Sequence, residues 1–139
     1  MRFVDQLQGR HRLRAVSAVG AAFPLHCTAN GKALLSALGP AEARALLPAR
    51  LPRLTPNTIV SHRELARELE RVSAAGVAFD REEHSEGICA AGAAVLDSSG
   101  PVAALSVPVP AMRFGTGEER FAEEVRAAAR EASRLLGGR

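Results

Sequence analysis

One lysine, Lys32, and two cysteines, Cys27 and Cys89, are all that these residue types contribute to a chain of 139 residues. Two thiols could pair or stay free; Met1-Arg2-Phe3 does not open a secretory signal, so both are expected to be reduced. No apolar run approaches the roughly 20 residues of a membrane-spanning helix, which argues against a membrane partner and for a cytoplasmic location. A glycine-rich phosphate loop is also missing, as are internal repeats and low-complexity tracts, and this removes nucleotide-binding and solenoid readings.

What is present is ordinary globular material, 47% hydrophobic and 24% charged, enough for one domain with a core. The net charge of +3 is carried by arginines scattered among acids along the helices. The one local basic cluster, Arg10, His11, Arg12 and Arg14, reads either as a phosphate contact or as a charged strand edge that discourages aggregation.

The elements follow from local signals. Phe3 to Leu7 and Leu13 to Val19 alternate apolar and polar residues, which predicts two strands joined at Gln8-Gly9-Arg10. A strand beginning so early suggests a piece of a longer polypeptide. PLHCTANGKALLSALG (24–39) predicts a helix capped by Thr28, stopped by Gly39 and buried on most sides by Leu34, Leu35, Leu38 and three alanines. Gly31 in its first turn is unfavourable by about 1 kcal/mol against alanine. Either it packs closely on a neighbouring element, or backbone there must approach a ligand, since the first turn offers free N–H groups to an anion. Pro40 opens a short second helix, and Ser61 with Glu64 predicts a third, ended by Gly76. Ala111 to Gly117 reads as a loop before a last helix striped by Phe121, Val125, Ala128, Ala132 and Leu135.

Between the third and last helices lies VAFDREEHSEGICAAGAAVLDSSGPVAALSVPVP (77–110), an antiparallel hairpin turning at Asp97-Ser98-Ser99-Gly100. On its return strand Val102, Ala104, Ser106 and Pro108 share one face. Small side chains and a hydroxyl there leave room above the strand, which we read as the floor of a ligand pocket. The fold class is α+β, an antiparallel sheet with helices on its faces.

The segments LRAVSAVG, PLHCTANGKALLSAL, LTPNTIV and GVAFDREEHSEGICAAGAAVLDSSGPVAALSVPVPAMRF, in that order, resemble the effector-binding domain of IclR-type bacterial transcription regulators from about Val4 onward. The resemblance implies a GAF-like curved antiparallel sheet around a small-molecule pocket, assembly as homodimers or homotetramers, and no cofactor. Operator DNA would be bound by an N-terminal winged helix-turn-helix outside this chain, which would also lack the sensor domain's first helix and strand. Carried across residue by residue, the family's carboxylate-holding amides fall on Ala29 and Asn30, its pocket aspartate on Asp80 and its strand hydroxyl on Ser106. Arg12, Ala15 and Phe23 fall on lining positions and Ala90 on a pocket position of the first hairpin strand. Pro108 stands where a second strand serine is expected, Ala90 where a thiol is, and Arg12 where an aliphatic chain is. These departures lean towards an organic acid larger than glyoxylate or pyruvate, with aromatic acids among the candidates. Arg12 would pair with Asp80 or with the ligand carboxylate if it points inward.

The residues themselves admit other chemistry. The alternative readings are an Asp80 that caps backbone N–H groups of its connection and a Ser106 bonded to its strand neighbours. His26, Cys27, His84 and Cys89 supply the types for a thiol hydrolase, but adjacent His26 and Cys27 do not face each other and no orienting third group is evident. Asp80, Glu82, Glu83, His84 and Cys89 match no established zinc spacing; Glu82, Glu83 and His84 read as a solvated rim. A pure oligomerisation module is the alternative to a sensor.

Overall fold

The computed structural model describes residues 1–7 and 20–138. The predicted strand Leu13 to Val19, the Arg10–Arg14 cluster, and the candidate site residues Arg12 and Ala15 lie outside the described residues. Met1 to Leu7 form less than the expected strand. An isolated bridge joins Arg2 to Ala22, held by Phe3 N–H to Ala21 O at 3.2 Å and Phe23 N–H to Met1 O at 3.0 Å.

Helix α1 spans Ala29–Ala37 and α2 spans Pro40–Ala45. Thr28 caps α1 through its hydroxyl, but Gly39 is not the stop. Leu38 ends α1 in extended backbone, and Gly39, at φ −66°, is already the cap of α2, with Pro40 at its first position. Helix α3 spans His62–Ala75; the Ser61 hydroxyl accepts the Glu64 N–H at 3.3 Å, and Gly76 closes the helix in the left-handed region at φ 71°. Leu65 and Val72 are its buried stripe.

Strands β1 (Ala78–Arg81), β2 (Ile88–Asp97) and β3 (Gly100–Pro110) form an antiparallel sheet in that order. The β2–β3 turn is tightened by Asp97, whose carboxylate accepts both the N–H and the hydroxyl of Ser99. The register sets Asp80, Ala90 and Pro108 in one row across the three strands, and Ala78, Gly92 and Ser106 in the next.

Helix α4 runs from Ala111 to Leu135 without the expected loop at 111–117. Phe114, stacked on Phe121 at 6.0 Å and edge-on to Phe79 at 5.9 Å, anchors that first turn, so tertiary burial outweighs the two glycines inside it. The buried stripe is also shifted: Phe114, Phe121, Val125, Ala129 and Ser133 face inward, whereas Ala128 and Leu135 are exposed. Helix α4 covers one face of the sheet, over Cys89, Ala91, Ala93, Val95 and Val109. Helices α1 and α3 cover the other face, where Ala33, Val72, Ala78 and Ala94 cluster.

Candidate functional site

The α1 side of the sheet is floored by small side chains. A Cβ added at Gly92 would stand 2.8 Å from the Ala29 carbonyl carbon, so the start of α1 lies directly on β2. Because Asp80, Ala90, Pro108 and Ser106 occupy the two rows through Ala90 and Gly92, all four project to this same side. Asp80 and Ala90 are buried; Ser106 and Pro108 are half-buried. Phe23 is half-buried too, with its ring 5.0 Å from that of His84 and 4.9 Å from that of Phe3.

The first turn of α1 faces this floor with unequal use of its N–H groups. Thr28 takes two of them, Gly31 N–H on its hydroxyl at 3.1 Å and Lys32 N–H on its carbonyl at 2.9 Å. The N–H groups of Ala29 and Asn30 meet no acceptor among the described residues. Asn30 is buried, and its side-chain oxygen Oδ1 has no hydrogen-bond partner. The reason for Gly31 is also settled: a Cβ there would collide with the Leu25 backbone, so the close approach is to the chain's own entry loop.

Asp80 accepts the N–H of Glu83 at 2.7 Å and of His84 at 3.4 Å, and so it shapes the β1–β2 connection. Burial pushes its carboxyl above the ordinary 3.8, while those two N–H groups and Lys32 pull it back. Glu83, expected at a solvated rim, is buried instead. Lys32 is fully buried and donates to Glu83 Oε1 at 2.9 Å and Glu68 Oε1 at 3.2 Å. Glu83 Oε2 lies 2.7 Å from the same nitrogen without hydrogen-bonding geometry. One cation thus serves two carboxylates. Burial raises Glu83 to about 7 against the pull of Lys32, with Asp80 and Glu68 adding to the rise. For Glu68, burial works upward but Lys32 and Arg71 outweigh it, leaving the group below its ordinary value. The Thr55 and Thr58 hydroxyls donate to the Glu83 carbonyl at 3.2 and 2.6 Å, locking the connection onto the 51–58 loop.

Lys32 is the residue that sequence reasoning passed over, and Glu83 the one it placed at a rim instead of in the interior. A signal was available, since the chain's single lysine sits in the first turn of an otherwise apolar helix.

Thiol chemistry finds no support in the geometry. The Cys27 thiol is pushed up to about 12 by burial, and then by Asp80 and Glu83. His26 donates from Nε2 to the Pro52 carbonyl at 2.8 Å and is held on that loop. Both cysteines are free and buried. Among the described residues no His, Cys, Asp and Glu side chains gather as a metal site, and no helix is long and apolar enough to cross a membrane.

A groove of about 620 Å³ opens at the opposite end of α1, between α3, α4 and the end of β2, past Ala37, Ala94 and Arg130. Among the described residues it contains no buried, unpaired polar atom. The free amides and the Asn30 oxygen make the Thr28 end the better candidate despite the groove's size.

An α+β layer structure with a helix N-terminus over a strand floor of small residues is the class defined so far. Residues 1–134 match the family model described as bacterial transcriptional regulator IclR C-terminal, and the chain belongs to that family. It is 55% identical over 119 residues to the HTH-type transcriptional regulator Rv1719 of Mycobacterium tuberculosis, an alignment covering 86% of this chain and 46% of that protein. The crystal structure of the Thermotoga maritima IclR superposes with a TM-score of 0.87 at 34% identity, covering 96% of this chain and 55% of that one. A double mutant of the inducer-binding domain of the PobR transcription factor from Acinetobacter, in complex with 3-hydroxybenzoic acid, superposes with a TM-score of 0.74 at 29% identity, covering 85% of this chain and 72% of that one. The chain spans about half the length of Rv1719 and of the Thermotoga protein.

Proposed function

We propose that this chain is the small-molecule sensor of a transcription regulator and holds the carboxylate of an organic acid on the Ala29 and Asn30 amides. The observation that carries the reading is the pair of unmet N–H groups at the start of a buried helix, directly above Gly92 and beside Ser106 and Pro108 of β3. A helix start favours an anion by roughly 0.3–1 kcal/mol, and by up to ~2 where it is partly buried. Ser106 supplies a hydroxyl to the bound acid, Ala90 and Pro108 floor it, and Phe23 lines its entrance. Arg12 and Ala15 belong to the same proposal from their sequence positions. Asp80 acts at one remove, by shaping the connection next to the site. The aromatic acid named with the PobR domain supports including aromatic carboxylates among the ligands.

In the full-length regulator, the acid would act by binding one arrangement of a homodimer or homotetramer better than another. That difference would pass to operator DNA through a DNA-binding domain outside this chain, with couplings of typically ~1–3 kcal/mol. Thermal shift of this chain against a panel of aliphatic and aromatic carboxylates tests the reading, and at least one acid is expected to raise the melting temperature. The Ser106→Ala variant should bind that acid about 5- to 10-fold more weakly, the loss of one hydrogen bond. If every acid leaves the melting temperature unchanged, the chain is an oligomerisation module and not a sensor.

A further inference from the structure

Asn30 carries a second unmet group beside its N–H. The residue is 8% exposed, and its Oδ1 is buried with no partner. Buried side-chain oxygens are almost always hydrogen-bonded in folded proteins, so a lone one beside free amides marks where a donor is due. Its direction follows from the helix. Ala29 sits on Gly92 of the central strand, and Lys32 turns to Glu83, after β1. At 100° per residue, Asn30 and Lys32 leave the axis on opposite sides of Ala29. Asn30 therefore points away from the acids and towards the side of α1 that packs over β3, where Ser106 and Pro108 project.

Resting on the carboxylate reading above, we infer that the effector is a 2-hydroxy carboxylate and that Asn30 selects it. The Asn30 N–H binds a carboxylate oxygen, and Oδ1 accepts the hydroxyl on the adjacent carbon. Backbone donor and side-chain acceptor belong to one residue, which suits two oxygens on neighbouring carbons of one ligand. A 2-oxo acid offers only acceptors, so it leaves Oδ1 unmet as the amide stands and gains a donor only if the amide turns Nδ2 towards it. A 2-amino acid brings three donors and a positive charge to a single neutral acceptor. A site that holds a buried hydrogen-bonding group discriminates strongly against a ligand that leaves the group unpaired.

Calorimetric titration of this chain with the pairs glycolate and glyoxylate, lactate and pyruvate, and mandelate and phenylglyoxylate tests the inference. In whichever pair fits, the hydroxy acid is expected to bind about tenfold or more tightly than its oxo partner. In Asn30→Ala that preference should vanish while the oxo acid keeps its affinity, because the amides are backbone. A second arm needs no variant: the 2-methoxy analogue keeps the oxygen but loses the donor, and should bind the unmodified chain as weakly as the oxo acid. Equal binding within the pairs overturns the role of Asn30 and leaves the carboxylate reading standing. The same holds for a preference for the oxo acid, or a hydroxyl preference that survives Asn30→Ala. Binding by no member of any pair overturns the 2-hydroxy acid inference, and the carboxylate reading then stands or falls with the wider panel.

Discussion

Cys89, Ala91, Ala93 and Val95 point from β2 to one side of the sheet, Ala90, Gly92 and Ala94 to the other, and the two sides meet different neighbours. Towards α4 the strands, which add Phe79 from β1, meet Phe114, Phe121 and Val125 in an apolar and largely aromatic layer. Towards α1 they present alanine and glycine, and above these lie Lys32, Asp80, Glu83 and Asn30, buried polar groups that an apolar layer would exclude. The first side is built to hold. The second keeps close approach, unmet amides and excess carboxylate charge in one place, arrangements that cost stability and are retained where a site needs them. The contrast teaches that burial alone does not distinguish core from candidate site here; what distinguishes them is whether every buried polar atom has a partner.

The sharpest way to break the comparison is to damage each side and ask which property fails. Phe114→Ala removes a ring that is 2% exposed from the α4 layer and should cost ~3–5 kcal/mol of stability, read from denaturant midpoints. Carboxylate affinity should be unchanged at temperatures where the variant is folded, because no atom of the α1 side is lost. A matching loss of affinity would mean the two sides are not separable.

Gly92→Val inverts that pattern. Its side chain would enter the space of the Ala29 carbonyl group and push the start of α1 off the strand. The expected cost is ~1–3 kcal/mol, less than at Phe114, yet carboxylate binding should disappear because the two amides lose their place over the Ser106 row. Retained binding in a destabilised Gly92→Val would show that the amides are not the anion site.

Local chemistry explains which parts of this contrast the sequence carried. The hairpin turn, the Thr28 and Ser61 caps and the Gly76 stop all rest on neighbours within a few residues, and each stands where its residues put it. The free amides at Ala29 and Asn30 follow from the same local rule, since a helix start must leave N–H groups over. The start of α4 was hidden because Gly115 and Gly117 read as loop, whereas Phe114 finds its partners Phe79 and Phe121 only in the folded core. Ser133 escaped the apolar stripe because its burial depends on donating to Ala129 O and accepting Leu96 N–H across the fold. Least legible was the acid cluster. Lys32 meets Glu68 and Glu83 from 36 and 51 residues away, and no local pattern announces a pairing at that distance.

That cluster supplies the smallest effect and the finest test of the α1 side. An unfolded chain releases the Glu83 proton near the ordinary 4.5, while the folded protein holds it to about 7, chiefly because the carboxyl is buried. Below pH 4.5 both states keep the proton and this group costs nothing. Between about 4.5 and 7 the unfolded state binds fewer protons than the folded one, so stability falls as pH rises, and above about 7 the loss is complete. Asp80, raised by burial, pushes the same way, whereas Glu68 acts oppositely and only as pH drops below its ordinary value. Glu83→Gln keeps an acceptor for Lys32 and removes the titration. Its stability relative to the unmodified chain should therefore rise from pH 4.5 to 7, on the order of 1 kcal/mol, measured as the difference in denaturant midpoints at each pH. A difference that is flat with pH would mean Lys32 holds both carboxylates ionised throughout. The α1 side would then hold two ionised carboxylates on one lysine at every pH, and the pH-dependent part of its contrast with the α4 layer would vanish.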